Sequence, residues 1–559
     1  MPRHSRFAIF LRVVLLPLGL IGSTVAGLGS YYETSDETAL AWLFNGTLAL
    51  KPVVSLPLYF HGYGHLLAAA YAAVPGVAWL GGLLGGLMAG ATVLAFAVLD
   101  RILRPYLRPA PLAGVLMAFF AICWLEHWLL FSHVRVAVLL AAAALLFAAQ
   151  RPGQRWALAV GLLGLGAGWL LRPGPAVLGL AAAVPGAIWL AGGWRRAVPV
   201  VAGGAALLVL ATGAAAALQT PAQARAQARD GYLAPILDFE QLRPQPRTAA
   251  DSLGTAAVSL WLLGDSTVVN ETFCRRAYRF DAPAFWLRVA PAKLRLRAGL
   301  LLRDYFPVLL LLAGTAVVAG RGGRPRRGFW LVQVGFGGAL ALLAGVLKLP
   351  PRLALPILDC WLLANGAFLL ARPADSRGAA LLPAFSRKAG GLVAGLGLVV
   401  FGLYGLKTLH RRQVLRAERG RHEQALRAIG IGAGRLVVMA GTTDLFKSLS
   451  PFRADAATPA SVLLLSGWPS HDASQAALRK ALSGTTDQTE CLRRLANRPV
   501  IGTDVPVAWV LTPETAAWLS RRTAFDGFQL LFSRQRPVLP AEADSVFWLY
   551  RAELQLKKM

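Results

Sequence analysis

FAIFLRVVLLPLGLIGSTVAGLG (residues 7–29) runs directly into SYYETSDE (residues 30–37), and the junction between them decides how the chain is read. The first stretch is almost unbroken in its apolar character and long enough to cross a bilayer as a helix. It is longer than the apolar part of a secretory leader and has no clean small-x-small cleavage site before Tyr31, so it reads as a retained first membrane helix. The second stretch places Glu33, Asp36 and Glu37 within five residues, where that helix should emerge into water on the side away from the cytoplasm.

Outward from this junction the apolar pattern recurs. The 559 residues are 56% hydrophobic and 15% charged, whereas soluble proteins carry about 25% charged residues. Candidate membrane helices fall at about 7–29, 78–99, 110–130, 132–149, 156–172, 175–193, 197–217, 303–320, 328–347, 352–371 and 389–408. The apolar stretch 64–77 contains Pro75 and Gly76 and reads as half of a broken helix or as an interfacial one. The expected fold is a polytopic α-helical membrane protein of about 11 transmembrane helices with a C-terminal soluble α/β domain.

The formal net charge of +29 points to a membrane, not to nucleic acid, because the arginines gather in short connections between apolar runs. Arg3 and Arg6 precede the first helix. Arg101, Arg104 and Arg108, then Arg151 and Arg155, then Arg195 and Arg196 follow every second helix, as do Arg321, Arg324, Arg326 and Arg327, and finally Arg372, Arg377, Arg387 and Lys388. This places the N-terminus in the cytoplasm of a multi-pass protein of the cytoplasmic (inner) membrane. The membrane domain is expected over residues 1–408, with outer loops at about 30–63 and 218–302, and residues 409–559 form an extracytoplasmic domain. The part of the second loop at 285–300 reads as a basic amphipathic helix at the membrane surface.

After Leu409 the composition changes. RLVVMA (435–440), SVLLL (461–465) and VPVAWVL (505–511) are strand-like, and 476–482, 490–496 and 513–521 are helix-like, which suggests a small sheet with parallel character. Gly430, Gly432 and Gly434 precede a strand instead of following one, so they are no dinucleotide fingerprint. Cys123 and Cys360 lie in apolar runs; Cys274 and Cys491 fall in outer segments, where a disulfide is open to them without any supporting pattern.

Four groups of residues have chemistry to offer. Glu33, Asp36 and Glu37 suit a base, a metal ligand or an ion site, and equally a helix start with Ser35 as its cap. Behind them Trp42, Lys51, Tyr59, His61, Tyr63 and His65 suit a sugar or head-group site, and aromatic residues also anchor simply at that depth. Glu126, His127, His133 and Arg135 read as interfacial polar residues, with no diagnostic metal spacing. Arg172, Lys348 and Arg352 stand at outer helix ends beside prolines and suit a lipid phosphate. Asp359, seven positions after Arg352, is ionisable well inside an apolar run and so marks function or a buried partner.

In order and placement these features resemble the GT-C superfamily of integral membrane glycosyltransferases, especially the bacterial branch that uses polyprenyl-phosphate sugars. Ser35-Asp36-Glu37 stands where that superfamily has a carboxylate, just past the first helix. Arg172-Pro173 is similar to its Arg-Pro helix start, and Lys348-Leu349-Pro350-Pro351-Arg352-Leu353-Ala354-Leu355-Pro356 to its late basic-Pro-Arg helix start. Ser132-His133-Val134-Arg135 falls at its short outer turn. The resemblance covers roughly residues 1–410. It implies inverting transfer of a hexose or pentose from a polyprenyl-phosphate donor on the outer face of the membrane. Asp36, with Glu37 and Glu33, would be catalytic, and Arg172, Lys348, Arg352, His61, His65 and Tyr63 would bind substrate. The partners implied are the lipid-linked sugar and membrane lipids, and any protein partner of the C-terminal domain is unknown. The cofactor stays unassigned: such carboxylates admit a divalent cation, but no ligand set is evident. Two rival expectations are a transporter or flippase for a lipid-linked substrate and a non-catalytic membrane scaffold.

Overall fold

The computed structural model describes residues 5–56, 62–321, 327–370, 387–431, 435–454, 461–497, 507–539 and 546–556. The chain forms two compact units. The first comprises Met1–Ser30, Gly82–Gln219 and Trp286–Val414, and the second Tyr31–Gly81, Thr220–Phe285 and Leu415–Met559. The compact division therefore differs from a boundary at 408/409. Both outer loops group with the C-terminal segment: apolar residues of the second share its core, and the first meets Phe446 through Thr38 and Trp42.

Among the described residues of the whole chain, eight helices are long and apolar enough to cross a membrane. They are α1 (Arg6–Gly27), α2 (Trp79–Leu103), α3 (Pro109–Leu129), α6 (Pro173–Leu190), α7 (Trp194–Ala217), α8 (Ala282–Arg321), α9 (Arg327–Gly345) and α10 (Pro351–Leu370). Between α3 and α6 lie α4 (His133–Ala149) and α5 (Arg155–Leu171), apolar but only 17 residues each. The expected span at 389–408 is the first part of α11 (Arg387–Ile429), a 43-residue helix that ends at Gly430 with φ +76°. Large apolar side chains stay open on these helices: Leu163 is 72% exposed, Leu210 71% and Val334 72%. In water such surfaces would be costly; in a bilayer they are ordinary. The chain has the make-up of a multi-pass helical membrane protein.

Every residue of α4 is buried. Small residues let its neighbours approach. A Cβ at Gly161 would stand 2.7 Å from the Ala148 Cβ, and one at Gly179 would stand 2.6 Å from the Val138 carbonyl oxygen. Close backbone approach through Gly and Ala is how apolar helices pack where lipid removes the hydrophobic drive. Local irregularities shape the bundle. A π-turn at Phe120–Trp124 interrupts α3. In α8, Pro307 removes a helical donor, and the backbone leaves the helical region at Tyr305 (φ −123°, ψ 23°). Helix α8 also begins well before residue 303, so the stretch 285–300 expected as a separate surface helix is part of it.

The second unit centres on a five-stranded sheet of β1 (Leu436–Ala440), β2 (Val462–Leu464), β3 (Val507–Leu511), β4 (Phe528–Pro537) and β5 (Trp548–Leu556), in the order β2-β1-β3-β5-β4. The β1 strand is parallel to β2 and β3, with Val437 opposite Val462 and Leu436 opposite Val507; β5 is antiparallel to both of its neighbours. Helices Ala473–Ser483, Gln488–Asn497 and Pro513–Phe525 accompany the sheet. The segment 220–285 packs on it through Trp518, whose indole donates to the Leu253 carbonyl at 3.0 Å, and through the buried Arg522–Asp265 pair at 2.8 Å. The stretch 64–77 holds a helix, Gly64–Ala73, that stops before Pro75. All four cysteines are free and buried.

Candidate functional sites

The acidic cluster lies in the second unit and starts the helix Ser35–Phe44. Its cap is Thr34, one residue earlier than expected: the Thr34 hydroxyl accepts from the Asp36 amide at 3.4 Å and donates to Glu37 Oε2 at 2.6 Å. Glu37 is fully buried and serves this helix start. Asp36 is half-buried, and its Oδ1 accepts from the indole N–H of Trp468 at 3.0 Å. Glu33 is half-buried as well.

The helix is docked firmly on the sheet side of the same unit. Thr38 donates to the Phe446 carbonyl at 2.8 Å, and the Trp42 and Phe446 rings meet edge to face at 4.8 Å. Tyr32 and the 448–449 backbone exchange hydrogen bonds, and Gln475 donates to the Leu48 carbonyl. Beneath the helix is a cavity of about 30 Å³ lined by Tyr32, Thr38, Trp42, Asn45, Tyr71 and Leu449, among others. It has room for a water or two, whereas ligand pockets run to about 300–1,000 Å³.

Of the aromatic and titratable residues behind the cluster, Tyr63 is half-buried at the start of Gly64–Ala73, and burial pushes its phenol above the ordinary value. His65 on the same helix is exposed. His61 lies outside the described residues.

The three expected phosphate cations lie in the first unit. Arg172 is the half-buried corner between α5 and α6. Its guanidinium reaches His133 Nε2 at 3.3 Å, which joins two groups that the sequence kept apart. An arginine only donates, so Nε2 accepts and the His133 proton sits on Nδ1. Arg352 is half-buried in the first turn of α10, and Lys348 is half-buried just before it.

The densest electrostatics in the first unit were only partly legible. Helix α10 delivers Asp359, fully buried, to His127 of α3, where Nε2 and Oδ2 are 2.7 Å apart. On the other side of the ring, Arg135 of α4 donates to His127 Nδ1 at 2.9 Å. Because the guanidinium must donate, Nδ1 accepts, and the proton of the neutral ring is on Nε2, directed at Asp359. Asp359 therefore answers to His127 and not to Arg352. Glu126 stands 3.6 Å from Arg135, takes a hydrogen bond from Tyr305 at 3.1 Å and pairs with Arg411 at 2.8 Å. Asp304 pairs with Lys407 at 3.3 Å and with Arg411 at 3.5 Å. The kink at Tyr305 turns Asp304 and Tyr305 to this side. Three carboxyl groups (Glu126, Asp304, Asp359) meet Arg135, Lys407 and Arg411 around a neutral imidazole, and the exposed Arg303 pairs with Asp304 at 3.3 Å from outside. Separately, Arg12 within α1 pairs with Asp100 of α2 at 2.7 Å, both buried.

A charge inside an apolar run was the signal for Arg12, and Asp304 and Lys407 lie within the ends of their runs; Asp100 and Arg411 fall just beyond theirs, where nothing marked them. Nothing in the sequence marked Trp468. Among the described residues, no three His, Cys, Asp or Glu side chains are grouped to hold a metal ion. Compared with protein-family models, curated proteins and solved structures, the chain matches none.

Proposed function

We propose that the protein is a membrane glycosyltransferase that moves a sugar from a polyprenyl-phosphate donor to an acceptor on the outer face of the cytoplasmic membrane. The observation that carries this reading is Asp36: a carboxylate just past the first membrane helix, half-buried, on the first turn of a docked helix, with one oxygen held by an indole N–H. A fixed carboxylate of this kind is suited to act as a general base. Asp36 takes the proton of an acceptor hydroxyl, and the oxygen attacks the anomeric carbon. The bond from that carbon to the phosphate oxygen breaks, and the lipid phosphate leaves with the electron pair. The configuration inverts.

In this reading the buried Glu37 serves the helix start and Asp36 is the base, with Glu33 three positions before it in the chain. Arg172, Lys348 and Arg352 retain the donor-phosphate role, because arginine and lysine neutralise a developing phosphate charge. The C-terminal α/β sheet unit is extracytoplasmic in this reading.

Mass spectrometry of cell-surface glycans tests it. Cells lacking the protein should lose a defined sugar addition, restored by the wild type and not by Asp36→Asn. An unchanged glycan profile without the protein refutes it.

The ion network of the first unit favours a second reading, a transporter or flippase for a lipid-linked substrate, since ionisable groups deep in a membrane bundle commonly mark transport pathways. Flux of a lipid-linked sugar across vesicles, with no bond change and with sensitivity to Asp359→Asn, would decide for it.

A further inference from the structure

We infer that Trp468 is a positioning residue for Asp36, so that the sheet segment of the second unit is part of the transfer site and not an appendage to it. This rests on the reading of Asp36 as the base. The indole N–H meets Asp36 Oδ1 at 3.0 Å, and both partners are held from behind. On the carboxylate side are the Thr34 cap, the Thr38–Phe446 hydrogen bond and the Trp42–Phe446 ring contact. On the indole side, Trp468 opens the tight turn Trp468–His471, directly after Gly467. Gly467 has φ +80°, its N–H donates to the Trp261 carbonyl at 2.8 Å, and its own carbonyl takes the Ser470 hydroxyl at 2.7 Å. A Cβ at Gly467 would stand 3.1 Å from Thr443.

Backbone strain gathers at the same junction. Among the described residues three non-glycines have positive φ, and two of them are Trp261 (57°), which holds Gly467, and Ser448 (59°), whose N–H donates to the Tyr32 carbonyl at 3.1 Å. Strained backbone persists where the surrounding structure over-determines it, and such places are concentrated at functional sites. A donor fixed on one oxygen of a carboxylate limits its rotation and directs the other oxygen. Trp468 touches no reacting atom in this scheme; it acts through Asp36.

The test uses the full chain in lipid nanodiscs, with labelled polyprenyl-phosphate hexose, pentose and N-acetylhexosamine as donors and release of polyprenyl phosphate as readout. Trp468→Phe keeps the ring and removes the N–H. Its kcat should fall roughly tenfold or more while KM stays within about twofold, as loss of one hydrogen bond to a charged group implies. Trp468→His, which retains a ring N–H, should recover part of that loss. Wild-type kcat in Trp468→Phe, with Asp36→Asn inactive, overturns the role of Trp468 and leaves Asp36 as the base. Full activity in Asp36→Asn, or no turnover of any donor by the wild type, overturns both. If Trp468→Phe does not fold, the indole N–H resonance of ¹⁵N-tryptophan-labelled protein gives the answer: it should move in Asp36→Asn, and an unmoved resonance overturns the inference.

Discussion

Arg135→Met should be one of the most destabilising substitutions in the first unit. Arg135 is completely buried and makes a hydrogen bond to the neutral His127 at Nδ1, 2.9 Å, and a charge contact with Glu126 at 3.6 Å. Methionine fills most of the vacated volume with a flexible apolar chain, so the cavity left behind is small. What is lost is charge balance. The network loses a fully buried cation while Glu126 and Asp359 stay buried. Breaking a buried pair in this way costs about 3–5 kcal/mol. Adding Asp359→Asn restores the balance, and the Asn carbonyl oxygen still accepts from His127 Nε2. The double variant should therefore be less destabilised than the sum of the two singles, by about 0.5–3 kcal/mol of coupling. Unfolding of the purified protein by denaturing detergent in mixed micelles, followed by tryptophan fluorescence, measures all four corners of the cycle. A cost below about 1 kcal/mol for Arg135→Met, or strict additivity in the double variant, would refute the network as a coupled unit.

Other outcomes follow from particular contacts. Glu490 is gripped by two nitrogens of Arg493, Nε and Nη2, at 2.6 Å and by Arg494 at 2.7 Å, and these hydrogen bonds pull its carboxyl down to about 2. A lowered folded-state value stabilises above the ordinary carboxylate range and is lost as pH falls toward 2, so Glu490→Gln should cost about 1 kcal/mol at pH 7 after allowance for solvent screening, and close to nothing near pH 2. Thermal unfolding at the two pH values reads this; an equal cost at both would contradict it. Gly179→Ala places a methyl 2.6 Å from the Val138 carbonyl and should cost about 1–3 kcal/mol by pushing α6 from α4. Gly166→Ala, whose nearest neighbour is 3.7 Å away, should be near neutral in the same unfolding assay, and equal effects at the two sites would rule out close helix approach as the cause.

The membrane helices were legible because an apolar run long enough to cross a bilayer is a local property of the chain. The first three strands were legible for the same reason: LVVMA is buried along its whole length and VAWVL at all but its first residue, and both are apolar and contain β-branched valines. The last two strands were not. FQLLFSRQRP is mostly apolar over its first five residues and turns to Ser, Arg and Gln where β4 forms the exposed edge of the sheet. Those charges suit an edge that must not pair with another chain, but they hide the strand. The separate-domain reading of 409–559 came from a composition change at Leu409, which in fact falls inside one continuous helix, Arg387–Ile429.

At the candidate sites, the residue types were visible and the pairings were not. Asp359 stood out as polar in apolar surroundings, whereas Glu126, His127 and Arg135 read as interfacial and are in fact buried. That His127 meets Asp359 across 232 positions, and Asp36 meets Trp468 across 432, depends on tertiary packing that no spacing rule encodes. Ser35 as cap missed by one residue because Thr34 and Ser35 are equally good caps, and only the backbone angles choose between them.

The most direct measurement of the central claim is transfer by purified wild type and Asp36→Asn, side by side, from labelled polyprenyl-phosphate sugars to an extract of cell-envelope acceptors. The account predicts that Asp36→Asn folds, binds the donor with wild-type affinity and transfers at least a hundredfold more slowly, which is the scale of losing a general base. Transfer at the wild-type rate by Asp36→Asn would contradict it.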